Sequence, residues 1–501
     1  MDPLETGNRR DFLKLGALAG LGFGLGAIPS AEAKPDPAQV MRRAAADIGA
    51  TRPRPAGSKP VWDLTTKAME KIRVGIIGLN RGRAHVASCV ATPFVEVVAV
   101  CDILDERAKA QAEVVRKKTG QMPAIYSGDE NAWEKMVARD DIDVVYVATP
   151  WEWHKPMAIR AMELGKHAFL EVNCGLTVDE CWDIVDASEK YQRHCPILEN
   201  CCYGEEELFV LNLQRQGFFG DLKHGECAYI HDQRGKPGAS FLDAGRDWRR
   251  RYSTLLQGNL YPTHGLGTIS QYMGVGRGDA FKYAVSVSSP EFGLSQLRER
   301  LKPDRDRSKD EKFVNGDMST TIVKTELGRT IVVQHDNTSP RPYTRGNLLS
   351  GSLATFAGYP NRLAIDVDNP SSLLDPKEKR NSHSWTYEGE KLKKFMTANM
   401  HPLLKKLMVD AKKVGGHGGM DHVMNYRFLD CIRQGITPDM TVYDAASWSA
   451  LLDLSDRSVR DGSIPVTYPD FTRGGWKTLK PLPIIPNPPF PSLSYFPTAN
   501  R

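Results

Sequence analysis

Tyr261 and His264 stand three residues apart in Asn259-Leu260-Tyr261-Pro262-Thr263-His264-Gly265. On one helical turn a phenol and an imidazole at that spacing face the same pocket. An imidazole titrates near neutrality and can give or take a proton, so His264 is the first candidate for acid–base chemistry. Tyr203, just after Ile197-Leu198-Glu199-Asn200, is placed to point at a substrate. Tyr343, in His335-Asp336-Asn337-Thr338-Ser339-Pro340-Arg341-Pro342-Tyr343, suits stacking on the apolar face of a sugar. Arg234, with Arg249 or Arg251, suits contacts to hydroxyl or carbonyl oxygens. In the glycine-rich run Gly415-Gly416-His417-Gly418-Gly419-Met420-Asp421, His417 and Asp421 either line a site or cap the next helix. No spacing of His, Cys, Asp or Glu marks a metal centre.

A second chemistry begins at Ile72–Ile77, a short β-rich run that enters the turn Gly78-Leu79-Asn80-Arg81-Gly82. A helical stretch follows, and Asp102 ends the next apolar run. Strand, glycine turn, helix and an acid about 20 residues on hold a dinucleotide. Gly78 and Gly82 let the backbone approach the pyrophosphate, whose charge the helix N-terminus stabilises. Asp102 is expected to accept from the adenosine ribose and to repel a 2′-phosphate, which favours NAD over NADP. Asn80 stands where the usual second glycine falls. The ends of later strands supply the rest. Thr149 and Pro150 suit the nicotinamide-ribose side, Trp153 and His154 border the cofactor, Glu171 suits a ribose hydroxyl or the nicotinamide, and Asn200 offers an amide at the same edge.

The elements that position these residues follow a βαβ rhythm over 71–200. Strands are expected near 72–77, 95–100, 143–148, 168–171 and 196–199, with helices near 103–118, 155–165 and 178–192. Pro123 and Gly128 bound a variable connection. That is a Rossmann-type doubly wound parallel sheet. From 201 to 476 the pattern changes to an α+β domain on a mostly antiparallel open sheet. Its strands are expected near 225–230, 281–288, 319–325, 330–335 and 353–357. A helix near 205–216 precedes them, and returning helices are expected near 422–434 and 444–457. The charged stretch 298–312 reads as a solvated excursion. The proline-rich segment 477–501 reads as an extended strap.

The chain has 501 residues, 41% hydrophobic composition and a net charge of +5. That sustains two or three domains with real cores and gives no basic tail for nucleic acid. The nine cysteines read as buried free thiols. Residues 1–33 carry Arg9-Arg10, a weakly apolar run and Ala31-Glu32-Ala33, the pattern of a twin-arginine export signal. The run is short for a stable membrane span. Residues 34–70 read as a linker or arm. Export of a folded protein by the twin-arginine machinery suits a bacterial periplasmic or envelope enzyme that carries tightly held NAD. An open sheet suggests a homo-oligomer.

These motifs together resemble the Gfo/Idh/MocA oxidoreductase superfamily and, within it, glycoside hydrolase family 109. The resemblance rests on GLNRG at 78–82, ATPWEWH at 148–154, EV at 171–172, LEN at 198–200, GNLYPTHG at 258–265, HDNTSPRPY at 335–343, GHGGMD at 416–421 and VYDAASWSA at 442–450. Ordinary dehydrogenases of the superfamily carry Glu-Lys-Pro where this chain has Glu171-Val172-Asn173. Their catalytic lysine is absent, which favours the glycosidase. The resemblance implies hydrolysis of terminal α-linked N-acetylgalactosamine with retention. NAD oxidises sugar C3, the C2 proton leaves, the glycosidic oxygen is eliminated from C1, water adds, and the hydride returns. It implies NAD contacts at Asn80, Arg81, Asp102, Thr149, Pro150, Trp151, His154, Glu171, Val172 and Asn200. Proton transfer falls to His264 and Tyr203, in an undetermined division of labour. Substrate contacts fall to Tyr229, Tyr261, Tyr343, Arg234 and Arg251. A periplasmic NAD(P)-dependent sugar oxidoreductase and a non-catalytic carbohydrate-binding protein are the competing readings.

Overall fold

The computed structural model describes residues 49–234, 247–300, 311–381 and 383–481. The twin-arginine segment, the first part of the arm, much of the charged excursion and the strap from 482 onward lie outside the described residues.

The first domain contains β1 (Ile72–Ile77), α1 (Arg83–Val90), β2 (Val95–Asp102), α2 (Asp105–Thr119), β3 (Ala124–Ser127), α3 (Ala132–Val137), β4 (Val144–Val147), α4 (His154–Glu163), β5 (His167–Leu170) and α5 (Val178–Tyr191). All the strands pair in parallel, in the order β3-β2-β1-β4-β5. β4 and β5 are buried at every position, as expected of a sheet covered on both faces. Two expectations change. The connection bounded by Pro123 and Gly128 contains the edge strand β3, whose residues are only partly buried and so lack a long apolar run. The expected strand at 196–199 is reduced to a single bridge between Ile197 and Leu170. The chain then tightens into a 3₁₀ turn over Asn200–Tyr203.

Residues of the arm pack on this domain and on a returning helix. Arg54 pairs with Glu189 of α5 at 2.9 Å, and the Val61 amide donates to the Tyr443 hydroxyl at 3.0 Å.

The second domain runs through α6 (Glu205–Arg215), β6 (Leu222–Ile230), α7 (Asp247–Ser253), α8 (Thr263–Met273), β7 (Phe281–Ser288), α9 (Gly293–Arg300), β8 (Ser319–Thr325) and β9 (Thr330–Asp336). Then come β10 (Leu348–Gly351), β11 (Ala354–Ala357), β12 (Arg362–Ile365), β13 (Tyr387–Glu388), α10 (Gly389–Ala398), α11 (Pro402–Val414), α12 (Met420–Gln434), α13 (Val442–Ser449), α14 (Leu451–Arg460) and β14 (Val466–Thr467). The nine strands form one open sheet, β13-β12-β11-β10-β6-β9-β8-β7-β14, antiparallel except for the central β6–β9 pair. The expected helix over 444–457 is two helices, α13 and α14. α13 starts earlier than expected because Thr441 and Asp444 form a reciprocal capping box. All nine cysteines are free and buried. Among the described residues, no helix is long and apolar enough to cross a membrane.

Asp453, in the first turn of α14, accepts the amide of Val178 at 2.9 Å and so ties α14 to the start of α5. Burial, reinforced by Asp456, Asp179 and Glu180, pushes its carboxyl up to about 7. The folded state therefore binds a proton that the unfolded state has released, and stability falls as pH rises from about 4 to 7. Asp453→Asn removes that loss. Its melting temperature is expected to exceed wild type by about 2–4 °C at pH 8 and to match it at pH 4, as read by scanning calorimetry.

Candidate functional site

The dinucleotide side is built on the turn after β1. Gly78 has φ 84°, and a Cβ there would lie 2.4 Å from the Ala148 carbonyl oxygen, so the strand end admits only glycine. Asp102 stabilises this turn directly. Its carboxylate accepts the Leu79 amide at 2.7 Å and the Leu104 amide at 2.9 Å. Each oxygen retains a second lone pair for a ribose hydroxyl. Gly82 follows, with Asn80 half-buried beside it.

Arg81 links the turn to two other elements. Its Nε pairs with Glu171 at the end of β5 at 2.7 Å, and both terminal nitrogens donate to Asp421 on α12 at 2.9 Å. Burial alone lowers the affinity of a guanidinium for its proton, but the carboxylates outweigh it and hold Arg81 well above its ordinary value. Glu171 also accepts from His85 Nε2 at 2.8 Å, and His85 Nδ1 accepts from Asn425 at 3.1 Å. Burial raises the Glu171 carboxyl, yet Arg81 and His85 bring it down to about 2. Asp421 further accepts from Asn200 at 2.8 Å and from His417 at 3.0 Å. The glycine-rich run therefore both lines the site and opens a helix. This backbone turn, with its paired cation and amide, fits the pyrophosphate and riboses of a dinucleotide.

The strand ends after β4 and β5 are braced against each other. Trp151 Nε1 donates to the Val172 carbonyl at 2.9 Å. His154 is fully buried and bonded on both nitrogens, to the Asn173 carbonyl at 2.6 Å and the Thr149 carbonyl at 2.9 Å. His154 thus shapes the cofactor edge by holding the two loops. Pro150 sets the extended residue from which the 3₁₀ turn of Trp151 starts.

The second half of the site is an aromatic cage. Tyr229 lies one residue before the end of β6 and pairs in register with His335 of β9. α8 crosses β6 closely because residue 265 is glycine; a Cβ there would lie 2.7 Å from the Ala228 nitrogen. That approach brings His264 to 5.1 Å from the Tyr229 ring, while Tyr261 stacks on Tyr229 at 4.7 Å. Tyr343 closes one side, 6.3 Å from Tyr229. Trp151 closes the cofactor side, 6.0 Å from Tyr261. His335 is buried and pushed down to about 3, so it is a neutral wall.

His264 Nδ1 donates to Glu199 Oε1 at 2.7 Å. Glu199 is fully buried, which raises its carboxyl, but His264 outweighs burial and holds it below the ordinary range. An ionised carboxylate can only accept, so the Nδ1 proton is fixed and Nε2 keeps its lone pair for the cage. Cys201 lies close enough for its sulfur, Glu199 and His264 to fall within 4.8 Å of one another. Burial keeps its thiol neutral, and Sγ donates to Asn200. The group is therefore a proton-handling pair beside a thiol.

Several expected contacts fall elsewhere. Tyr203 is buried against Phe428, and its hydroxyl donates to Asp439, the partner of Arg427. Its phenol is held by the α12 side of the core, pushed well above its ordinary value by burial, and is not brought to the His264 cage. Arg251 pairs with Glu152 at 3.2 Å, and Arg234 pairs with Asp232 at 2.9 Å. The arginine in the cage is Arg249. Its guanidinium lies 4.9 Å from the Tyr261 ring and 6.0 Å from Trp151, and it donates to the Tyr261 hydroxyl at 3.4 Å. Among Trp248, Arg249, Arg250 and Arg251, helical phase alone selects the one that faces inward. Glu199 was hidden because a strand-end acid next to Asn200 carries no mark of its histidine partner 65 residues away.

Residues 203–478 match the family model described as glycosyl hydrolase 109, C-terminal domain, and residues 72–197 match the oxidoreductase family, NAD-binding Rossmann fold. A glycosyl hydrolase family 109 protein of Shewanella baltica is 45% identical over 434 residues, covering 86% of this chain and 92% of its own length. The chain belongs to glycosyl hydrolase family 109. A second relative, from Shewanella oneidensis, is named alpha-N-acetylgalactosaminidase; it is 44% identical over 441 residues, which is 88% of this chain and 94% of that protein. Levoglucosan dehydrogenase in complex with NADH and levoglucosan shares the fold, with TM-score 0.60 at 19% identity over 80% of this chain and 100% of that one. The family-109 chain is thus an NAD-dependent glycoside hydrolase on a dehydrogenase scaffold.

In this family-109 site, Asp421 carries an expectation of its own. Asp421→Asn weakens the charged bonds to Arg81 and leaves the turn less ordered. The dissociation constant for NAD is expected to rise about tenfold or more, measured by titration of cofactor-stripped protein. An unchanged constant in a folded variant shows that the Arg81–Asp421 contact does not shape the cofactor site.

Proposed function

We propose that this protein is an exported glycosidase that removes terminal α-linked N-acetylgalactosamine with retention and keeps its NAD through the cycle. The observation that carries the reading is the Glu199-backed imidazole of His264, set in a tyrosine cage next to the dinucleotide turn. The likeness to the Shewanella oneidensis alpha-N-acetylgalactosaminidase supports the substrate. The pattern Arg9-Arg10 followed by Ala31-Glu32-Ala33 supports export by the twin-arginine route to the periplasm or envelope.

Bound NAD supplies reversible hydride exchange at sugar C3, which acidifies the C2 proton. The chain's own residues do the remaining work. Gly78, Asn80, Arg81, Gly82, Asp102, Glu171 and Asn200 hold the dinucleotide. His264 Nε2 takes the C2 proton and returns it, while Glu199 stabilises the imidazolium. Tyr229, Tyr261 and Arg249 orient the sugar and exclude water from the face where the proton moves. No lysine follows Glu171, and this separates the chain from dehydrogenases that release oxidised sugar.

Purified protein and a panel of α- and β-linked aryl glycosides, read for aglycone release and for absorbance at ~340 nm, decide the matter. Release from the α-N-acetylgalactosaminide without accumulating NADH is the expected result. Accumulating NADH without cleavage establishes a sugar oxidoreductase instead, and ligand binding without either signal establishes a binding protein.

A further inference from the structure

The aromatic row does not stop at the cage. Tyr261 and Tyr229 are each 7% exposed, whereas Tyr343 is 40% exposed and Tyr359, the next ring outward, is 41% exposed. Ring centroids are 6.3 Å apart both from Tyr229 to Tyr343 and from Tyr343 to Tyr359. We propose that Tyr343 and Tyr359 form an outer carbohydrate subsite, which takes the second sugar of the glycan, linked through C1 of the residue held in the cage. This rests on the glycosidase reading above.

Three features make the outer pair a built platform. Tyr359 sits in the turn between β11 and β12 with φ 57°, a region a bulky aromatic residue rarely enters, so the fold spends backbone strain to present this ring. Arg345 lies beneath both rings, 5.7 Å from Tyr343 and 5.6 Å from Tyr359. Arg345 is itself fixed by buried Glu207 at 2.5 Å, and it donates to the Tyr343 hydroxyl at 3.1 Å. The turn is held by Asn361, which donates to Glu206 of α6 at 3.3 Å. The support is rigid and charged, while both rings stay partly exposed on the side away from Arg345.

Continuity identifies the occupant. The buried end of the row lies beside His264, where the glycosidase reading places one pyranose. Whatever is joined to that sugar leaves past Tyr343, the exposed part of the row among the described residues. Tyrosine offers an apolar face for sugar C–H groups and a hydroxyl for sugar oxygens at little entropic cost. The rings meet at 68°, so they form a corner that can hold one sugar from two sides.

The test compares a disaccharide, α-N-acetylgalactosaminyl-(1→3)-galactose, with methyl α-N-acetylgalactosaminide, which has no outer sugar. In Tyr359→Ala the ratio of kcat/KM for the disaccharide to that for the methyl glycoside is expected to fall about fivefold to tenfold, through KM, with Tyr359→Phe keeping most of it. Melting curves of both variants check the fold. An unchanged ratio in folded Tyr359→Ala, or an equal loss on both substrates, overturns the subsite and leaves the glycosidase reading standing. If wild-type protein cleaves neither substrate, the glycosidase reading and the subsite fall together.

Discussion

His264→Ala is expected to lower kcat for an aryl α-N-acetylgalactosaminide by about 10²–10⁴-fold, with KM changing far less. On the proposed route the proton at C2 is taken and returned within one turnover, and His264 holds one ring nitrogen on the Glu199 carboxylate while the other faces the cage. The competing bases are closed off. The phenol of Tyr261 is pushed up by burial, and that of Tyr229 likewise. His335 is buried and neutral. Glu199→Gln separates position from charge. Glutamine fills the same space but leaves the imidazolium without a carboxylate, so kcat is expected to fall roughly tenfold to hundredfold with KM nearly kept. Steady-state kinetics on NAD-loaded protein read both variants. A His264→Ala protein that loses less than about tenfold removes His264 from proton transfer. Equal kcat in wild type and Glu199→Gln removes the pairing from the mechanism.

The fold was legible where its physics is local. The turn after β1 announces itself because Gly78 must take a positive φ against Ala148, and β4 because a covered parallel strand reads as an unbroken apolar run. β3 was illegible for the converse reason: an edge strand with four half-wet residues has neither alternation nor a run. The site was legible by residue type and less so by partner. His264, Tyr261, Glu171 and Arg81 stand where strand ends and helix starts converge. Tyr203 looked equivalent to them, yet the 3₁₀ turn over Asn200–Tyr203 sends Asn200 to Asp421 and Tyr203 to Asp439. Asp102 looked like a ribose acid and is also the strut of the glycine turn. A chain read in one dimension shows which groups can titrate; which of them meet is set by contacts such as Gly265 on β6, in the other sheet from the cofactor turn.

Arg249 gives the second large effect. Its guanidinium is surrounded by Trp151, Trp248 and Tyr261, and among the described residues it forms no ion pair, in contrast to Arg250 with Glu311 and Arg251 with Glu152. Burial opposes its charge, while Tyr261, Tyr229 and Glu171 hold it above its ordinary value. A cation kept inside an aromatic cage without a carboxylate has donors to spare for a bound oxygen. On the proposed substrate, the oxygens offered to it are a 2-acetamido carbonyl and ring hydroxyls. Arg249→Met keeps the length and the stacking surface but removes the donors and charge. It is expected to lower kcat/KM by about 10–10²-fold through lost charged hydrogen bonds. Arg249→Lys should recover little, because an ammonium neither stacks nor forks. The neighbouring Arg251→Met is the control, since its partner Glu152 is also bonded by Tyr252 at 2.7 Å and lies behind Trp151. Equal losses in the two methionine variants place the effect in packing of α7; a loss confined to Arg249 places it in the recognition of the sugar.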